Sequence, residues 1–227
     1  MPVLAYILTA LGAYLLGSIP TGFLVAKAKG IDIRSVGSGN IGATNAMRVL
    51  GKPAGIFVLL MDALKGFAAV MLILNFFPDL SSAFPKVFTG GNVYADKILR
   101  EQLGIIAGIC AVLGHNYTCW LKFKGGKGIA TTAGVYLALA PWAVLVALVV
   151  FILAVLLTKY VSVGSIAAAV ALPATVWIMT PRNLLLGIVT TALGALAIYK
   201  HKSNLQRIRA GTENRLGKKT STTETTK

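Results

Sequence analysis

Three stretches of this 227-residue chain, 3–26, 54–77 and 161–179, run apolar with hardly a charge among them. A helix of about 18–20 apolar residues, rising about 1.5 Å per residue, is long enough to cross the hydrocarbon core of a bilayer. In water such runs would have to be covered on every side, and the chain lacks the polar residues to do it. It is 56% hydrophobic and 13% charged, where an ordinary soluble domain has about 45–50% apolar and about 25% charged residues. A soluble globule is excluded, and a polytopic membrane protein is expected.

The remaining sequence sets the topology. Segment 27–52 is polar, the run 54–77 holds Asp62 and Lys65, and 78–101 reads as a mixed loop. A third run covers 102–121 and ends in the basic stretch 122–127. The next, 129–158, is too long for one comfortable helix and is broken at Pro141. Runs 161–179 and 183–199 follow, and then a basic segment, 200–219. If 129–158 makes two passes, all the basic segments share one side, with 17 Lys and Arg there and four on the other. The positive-inside rule favours that arrangement, with an external N-terminus. The piece 129–140 spans only about 18 Å as helix, so it crosses poorly or re-enters. The expectation is an all-α polytopic protein of about seven transmembrane helices, one or two of them short or re-entrant. Residues 1–216 form a single transmembrane domain and 217–227 a disordered polar tail. The opening Met-Pro-Val-Leu has no basic stretch before its apolar run, so the first run reads as a retained span rather than a cleaved signal.

The net charge of +15 finds its first explanation in orientation, and no nucleic-acid partner is expected. Phosphorylated substrates and anionic lipid are the natural further partners. Cys110 and Cys119 are nine residues apart, which places them on opposite faces of a helix. They read as packing residues. No Cys/His spacing suits a metal, and neither metal nor cofactor is expected.

Three polar segments carry chemistry. The first is Gly-Ser-Gly-Asn-Ile-Gly-Ala-Thr-Asn, 37–45, followed by Arg48. Its glycines, Gly39 and Gly42 among them, free the backbone to turn its N–H groups toward an anion. Ser38, Asn40, Thr44 and Asn45 add side-chain donors, and Arg48 adds a bidentate phosphate fork. The spacing also matches a dinucleotide fingerprint, with Asp62 twenty residues after Gly42, but that fingerprint needs a strand and a βαβ unit. The second segment is Gly114-His115-Asn116-Tyr117, then Phe-Lys-Gly-Gly-Lys-Gly over 123–128. Here Gly125, Gly126 and Gly128 flank Lys127 at the start of a helix, where free N–H groups and an amine meet. It is not a Walker A loop, since no Ser or Thr follows the lysine. His115 fits a core histidine or a site residue equally.

The third segment is 201–213. His201, Asn204 and Arg207 share one helical face, and Glu213 reads as a charge partner orienting nearby cations. Two smaller pairs remain. Asp62 and Lys65, three residues apart, read as an intramembrane ion pair. Ser162 reads as a helix cap and Ser165 as a ligand contact.

In order, GSGNIGATN with Arg48, GHNY with FKGGKGIATT, and KHKSNLQRIRAGTE resemble the three motif regions of the PlsY family, the acyl-phosphate-dependent glycerol-3-phosphate acyltransferases of bacterial membranes. The likeness runs from the first apolar stretch to about Leu216. Thr118 departs from it, standing where many members carry proline. The resemblance implies transfer of a fatty acyl group from acyl phosphate to the 1-hydroxyl of glycerol 3-phosphate, giving lysophosphatidic acid and phosphate. It implies a bacterial cytoplasmic (inner) membrane, site loops on the cytoplasmic side, and a functional link to the enzyme that makes acyl phosphate. The His-x4-Asp pattern of other glycerolipid acyltransferases is absent: Trp120 and Gln206 stand five residues after the two histidines.

Acyl phosphate is already activated, so direct transfer without an acyl-enzyme is expected. Ser38, Arg48 and Lys127 would hold phosphate, while His201 and Asn204 would orient glycerol 3-phosphate. The base is His201 or a substrate phosphate. The remaining contacts expected are Gly39, Asn40, Gly42, Thr44, Asn45, His115, Gly125, Gly126, Gly128, Ser165, Arg207 and Glu213. The reading from another class is a transporter or exchanger for a phosphorylated metabolite, which intramembrane charge and a basic anion site would also suit.

Overall fold

A computed structural model describes residues 2–83 and 93–217. Helices α1 (Pro2–Ser18) and α2 (Thr21–Lys27) share one apolar span, Val3–Lys27. Pro20, which cannot donate to a helix, separates them. The break frees carbonyls, and each one left bare inside a membrane costs several kcal/mol. Side chains from elsewhere take them: Thr118 Oγ1 donates to Ser18 O at 2.6 Å, and Lys65 Nζ to Ile19 O at 2.8 Å. Lys65 also lies 2.8 Å from Asp62 Oδ1, so the intramembrane pair doubles as the anchor of the broken span. Thr118 has φ −65, a proline-compatible angle, and holds its place through its hydroxyl instead.

The chain continues through α3 (Ala43–Leu50), α4 (Lys52–Ala83), α5 (Val93–Asn116) and a single 3-10 turn, Cys119–Leu121. Then come α6 (Ile129–Leu139), α7 (Pro141–Thr158), α8 (Val161–Met179), α9 (Leu184–Lys200) and α10 (Lys202–Arg209). Among the described residues there is no strand. Among the described residues, five helices or helix pairs are long and apolar enough to span, and α9 with α10, bent by 47°, counts as a sixth if the pair is one span. The break expected at Pro141 is there: the short α6, of 11 residues, ends just before it and is too short to count among these spans, and Pro141 opens α7 at its first turn.

The expected loop at 78–101 is corrected at both ends. Helix α4 runs through position 78 to Ala83, and α5 starts at Val93. Proline removes one helical hydrogen bond, which membrane helices tolerate when neighbours compensate; α8 likewise carries Pro173 internally. In α5 the charges Asp96/Arg100 and Lys97/Glu101 stand four apart, the spacing that supports rather than ends a helix. The tail expected from 217 onward lies outside the described residues, Gly217 excepted.

The exterior is apolar, and charged groups are buried inside among apolar ones. Leu157 and Ile178 are 84% and 79% exposed, whereas Asp62, Lys65 and His115 are buried. Without a hydrophobic force between membrane helices, close backbone approach has to bind them. A Cβ on Gly134 of α6 would lie 1.8 Å from Ala63 O, and one on Gly66 of α4 would lie 2.2 Å from Thr131 O. The same reciprocity joins α1 and α5 through Gly17 and Gly114. Gly134→Val is therefore expected to destabilise by about 1–3 kcal/mol, as overpacking does, and to lower the thermal midpoint in detergent. Gly12→Val, whose added carbon meets nothing within 4 Å, is the control. Equal midpoints for the two variants would contradict this packing.

Candidate active site

All three polar segments meet at one cavity of about 320 Å³. The first segment is shaped by Asn45, in the first turn of α3 and 2% exposed. Its Nδ2 donates to Asn40 O, Val36 O and Ile33 O at 2.9, 3.2 and 3.3 Å, and its Oδ1 accepts from Ser38 N at 2.8 Å. Asn45 borders the cavity, and its amide is engaged by the loop that folds around it. Gly37 and Gly39 have φ of 62° and 69°, the left-handed region that only glycine enters cheaply. Gly39 is a turn residue and does not line the cavity. Asn40 Oδ1 accepts from Gly42 N at 2.8 Å. The loop so formed presents the Ser38 and Thr44 hydroxyls and the Arg48 guanidinium to the cavity. None of these three side chains has a hydrogen-bond or ion-pair partner among the described residues.

In the second segment, Gly125 N donates to Asn116 O at 3.2 Å and Gly126 N to His115 O at 3.0 Å. A Cβ on Gly126 would lie 2.0 Å from His115 Nε2. Gly125 and Gly126 thus seat the loop on the end of α5 and do not line the cavity. Lys127 and Gly128 do line it. His115 is 5% exposed, its Nδ1 is 3.6 Å from Asp62 Oδ1, and both residues border the cavity.

The third segment arrives at the bend between α9 and α10. His201 Nδ1 lies 2.8 Å from Ala197 O. A carbonyl only accepts, so Nδ1 carries the proton and Nε2 is the bare acceptor. Lys127 Nζ donates to Asn204 Oδ1, joining the second and third segments directly. Asn204 Nδ2 donates to Glu213 Oε1 at 2.7 Å, and Arg207 Nε to Glu213 Oε2 at 2.7 Å. Glu213 orients its neighbours as its sequence position suggested. Ser162 does not cap α8; its hydroxyl donates to Glu213 Oε1 at 3.0 Å. The turn after α10 brings the carboxylate within reach of the hydroxyl. Ser165 lines the cavity and donates to Val161 O at 2.9 Å.

Burial lowers the Lys127 amine to about 8, helped by the charges of Arg207 and Arg48 against the pull of Glu213. Burial likewise lowers Arg48, with Arg207 adding to it and Glu213 opposing; a guanidinium nonetheless stays charged in any accessible pH range. Burial pushes the Glu213 carboxyl up, but hydrogen bonds from Asn204, Arg207 and Ser162 outweigh it and hold the group below the usual carboxylate range. The result is a concave, cation-rich site with one bare imidazole nitrogen, suited to anionic oxygens. Sequence reasoning missed Arg215 and Phe151, which also line the cavity. Arg215 gets there because Leu216 N binds Lys159 O at 2.8 Å, a contact with no local signature. Phe151 is one apolar residue among many in α7.

A family profile described as glycerol-3-phosphate acyltransferase matches residues 7–211. Curated proteins called glycerol-3-phosphate acyltransferase are similar over nearly the whole chain. The one from Geobacter metallireducens is 49% identical over 94% of this chain and 98% of its own length. That from Clostridioides difficile is 42% identical over 96% and 99%. Among solved structures, PlsY, an integral membrane glycerol 3-phosphate acyltransferase, in its glycerol 3-phosphate form superposes with a TM-score of 0.78 at 35% identity. That match covers 93% of this chain and 96% of the other. The lysophosphatidic acid form of PlsY gives 0.75 at 34% identity.

Proposed function

This chain belongs to the glycerol-3-phosphate acyltransferase family, whose members acylate glycerol 3-phosphate in phospholipid synthesis, and we propose that its donor is a fatty acyl phosphate and its acceptor the 1-hydroxyl of sn-glycerol 3-phosphate. The hydroxyl oxygen attacks the acyl carbonyl carbon, the bond from that carbon to the phosphate oxygen breaks, and lysophosphatidic acid and inorganic phosphate leave. The hydroxyl proton passes to His201 Nε2 or to a phosphate oxygen.

One observation carries this reading: an unpartnered Arg48 and the Lys127–Asn204 pair face the same cavity as a histidine whose Nε2 is bare. Arg48 with Ser38 is a place for one phosphate, and Lys127 with Asn204 and Arg207 for another. Gly42, Thr44, Gly128, Ser165 and His115 complete the walls. The acyl chain then lies along the apolar helices, with only its head group inside. Residues 1–216 act as one transmembrane unit in the bacterial inner membrane, with the N-terminus outside and the basic loops in the cytoplasm. Its donor comes from an enzyme that makes acyl phosphate. Membership of an enzyme family weighs against the exchanger reading.

Purified protein in detergent, given palmitoyl phosphate and glycerol 3-phosphate, is expected to release phosphate and form lysophosphatidic acid. Palmitoyl-coenzyme A is expected not to replace the donor; turnover with it alone would refute the donor assignment. His201→Gln in the same assay tests the base. A nearly intact maximal rate at saturating substrate would give the proton to the substrate phosphate instead.

A further inference from the structure

Lys200 does not line the cavity, yet it touches what holds the cavity's two halves together. It is the last residue of α9, immediately before His201. A lysine at the end of a membrane span ordinarily reaches out to headgroups. Lys200 turns inward: its Nζ donates to Asn116 O at 3.1 Å and stands 4.3 Å from the centre of the Tyr117 ring. A cation over a ring face is a directional contact as well as an attractive one.

Asn116 O has a second donor, Gly125 N, at 3.2 Å, and the adjacent His115 O accepts from Gly126 N at 3.0 Å. Those two bonds seat the loop that carries Lys127. One carbonyl therefore receives both the end of the helix leading to His201 and Asn204 and the base of the Lys127 loop. The stretch itself is tied down, since Tyr14 Oη donates to Tyr117 O at 2.7 Å. Above this support, Lys127 meets Asn204.

We propose that Lys200 is a positioning residue for acyl transfer: by clamping Asn116 and Tyr117 it sets the register between His201 and Asn204 on one side and Lys127 on the other. The inference rests on the acyl-transfer reading above. Arg48 lies on α3 and is bonded to none of Lys200, Asn116 and Tyr117, so substrate capture through it survives loss of Lys200. What fails is alignment, and misplacement of reacting groups by a fraction of an ångström lowers the rate about tenfold.

The test is steady-state kinetics with palmitoyl phosphate and glycerol 3-phosphate, alongside thermal midpoints in detergent. Lys200→Met keeps the stem and removes the donor and the charge. It is expected to lower kcat about tenfold with KM for glycerol 3-phosphate and the midpoint little changed. Lys200→Arg, which retains both donor and cation, restores the rate. Tyr117→Phe keeps the ring and the rate; Tyr117→Leu loses part of it, and combined with Lys200→Met adds little further loss. Wild-type kcat in Lys200→Met overturns the proposal, as does a rate loss that follows the midpoint and that arginine does not repair. A wild-type protein silent with both acyl donors sinks the acyl-transfer reading and this inference with it, whereas active wild type beside an unimpaired Lys200→Met sinks the inference alone.

Discussion

Lys127→Met is expected to lower kcat/KM by about 10²–10³-fold, the usual effect of removing one preorganised group that stabilises developing charge. The folded state should survive, because the loop is held by Gly125 and Gly126 on His115 and Asn116 rather than by the lysine. The same amine predicts a pH limb. Burial, then Arg207 and Arg48, bring it from 10.5 to about 8. At neutral pH it is mostly charged, and as pH rises through about 8 the free enzyme loses that charge. Wild-type kcat/KM, which reports the free enzyme, therefore falls above that pH. A bound phosphate favours the ammonium, so kcat, which reports the loaded enzyme, holds to higher pH. Lys127→Met has no such limb. A wild-type kcat/KM flat across the alkaline range, or a Lys127→Met profile that keeps the fall, would remove Lys127 from the site.

How far the sequence discloses this arrangement differs from element to element. The spans follow from runs of apolar residues, and the Pro141 break from proline chemistry, because both depend on local composition. Proline is ambiguous only where neighbours decide the outcome: it ends a helix at Pro141, yet α4 runs through position 78 and α8 through Pro173. The donor-rich segments are legible as segments, and Glu213 as an orienting carboxylate, since a carboxylate near cations pairs with them in most geometries. What is not legible is which donors face the ligand. Asn45 and Ser38 are equally polar on paper, but the left-handed turns at Gly37 and Gly39 wrap the chain around Asn45 and occupy its amide, while the Ser38 hydroxyl has no partner among the described residues. Ser162 passes for a cap until the turn after α10 delivers Glu213 to it. The Lys127–Asn204 contact joins residues 77 apart in sequence, and nothing in either segment encodes the other's position.

Glu213→Gln is expected to reduce kcat/KM by about 10–100-fold, since the carboxylate accepts from three groups at once. Charge-assisted hydrogen bonds are worth about 1.5–3 kcal/mol each, and 1.36 kcal/mol is a factor of ten. Oε1 takes Asn204 Nδ2 and Ser162 Oγ, and Oε2 takes Arg207 Nε. An amide retains one acceptor oxygen and sets an NH₂ against one of these donors. Arg207 is then left un-neutralised beside Lys127, and Asn204 loses the bond that aims its Oδ1 at the lysine. Both kcat and KM should suffer. The linkage has a definite sign: the folded-state pKa of Glu213 lies below its ordinary value of 4.5. Its contribution to stability is thus present above the unfolded pKa and lost as pH falls through the folded one. At pH 7 the variant should melt below the wild type, and the gap should close as the pH drops below the usual carboxylate range. Thermal midpoints of both proteins in detergent, followed from neutral into acid, decide it. A gap that stays constant through that range would mean that the carboxylate's charge does not hold Asn204 and Arg207 in place, and that the shape of the turn after α10 does so instead.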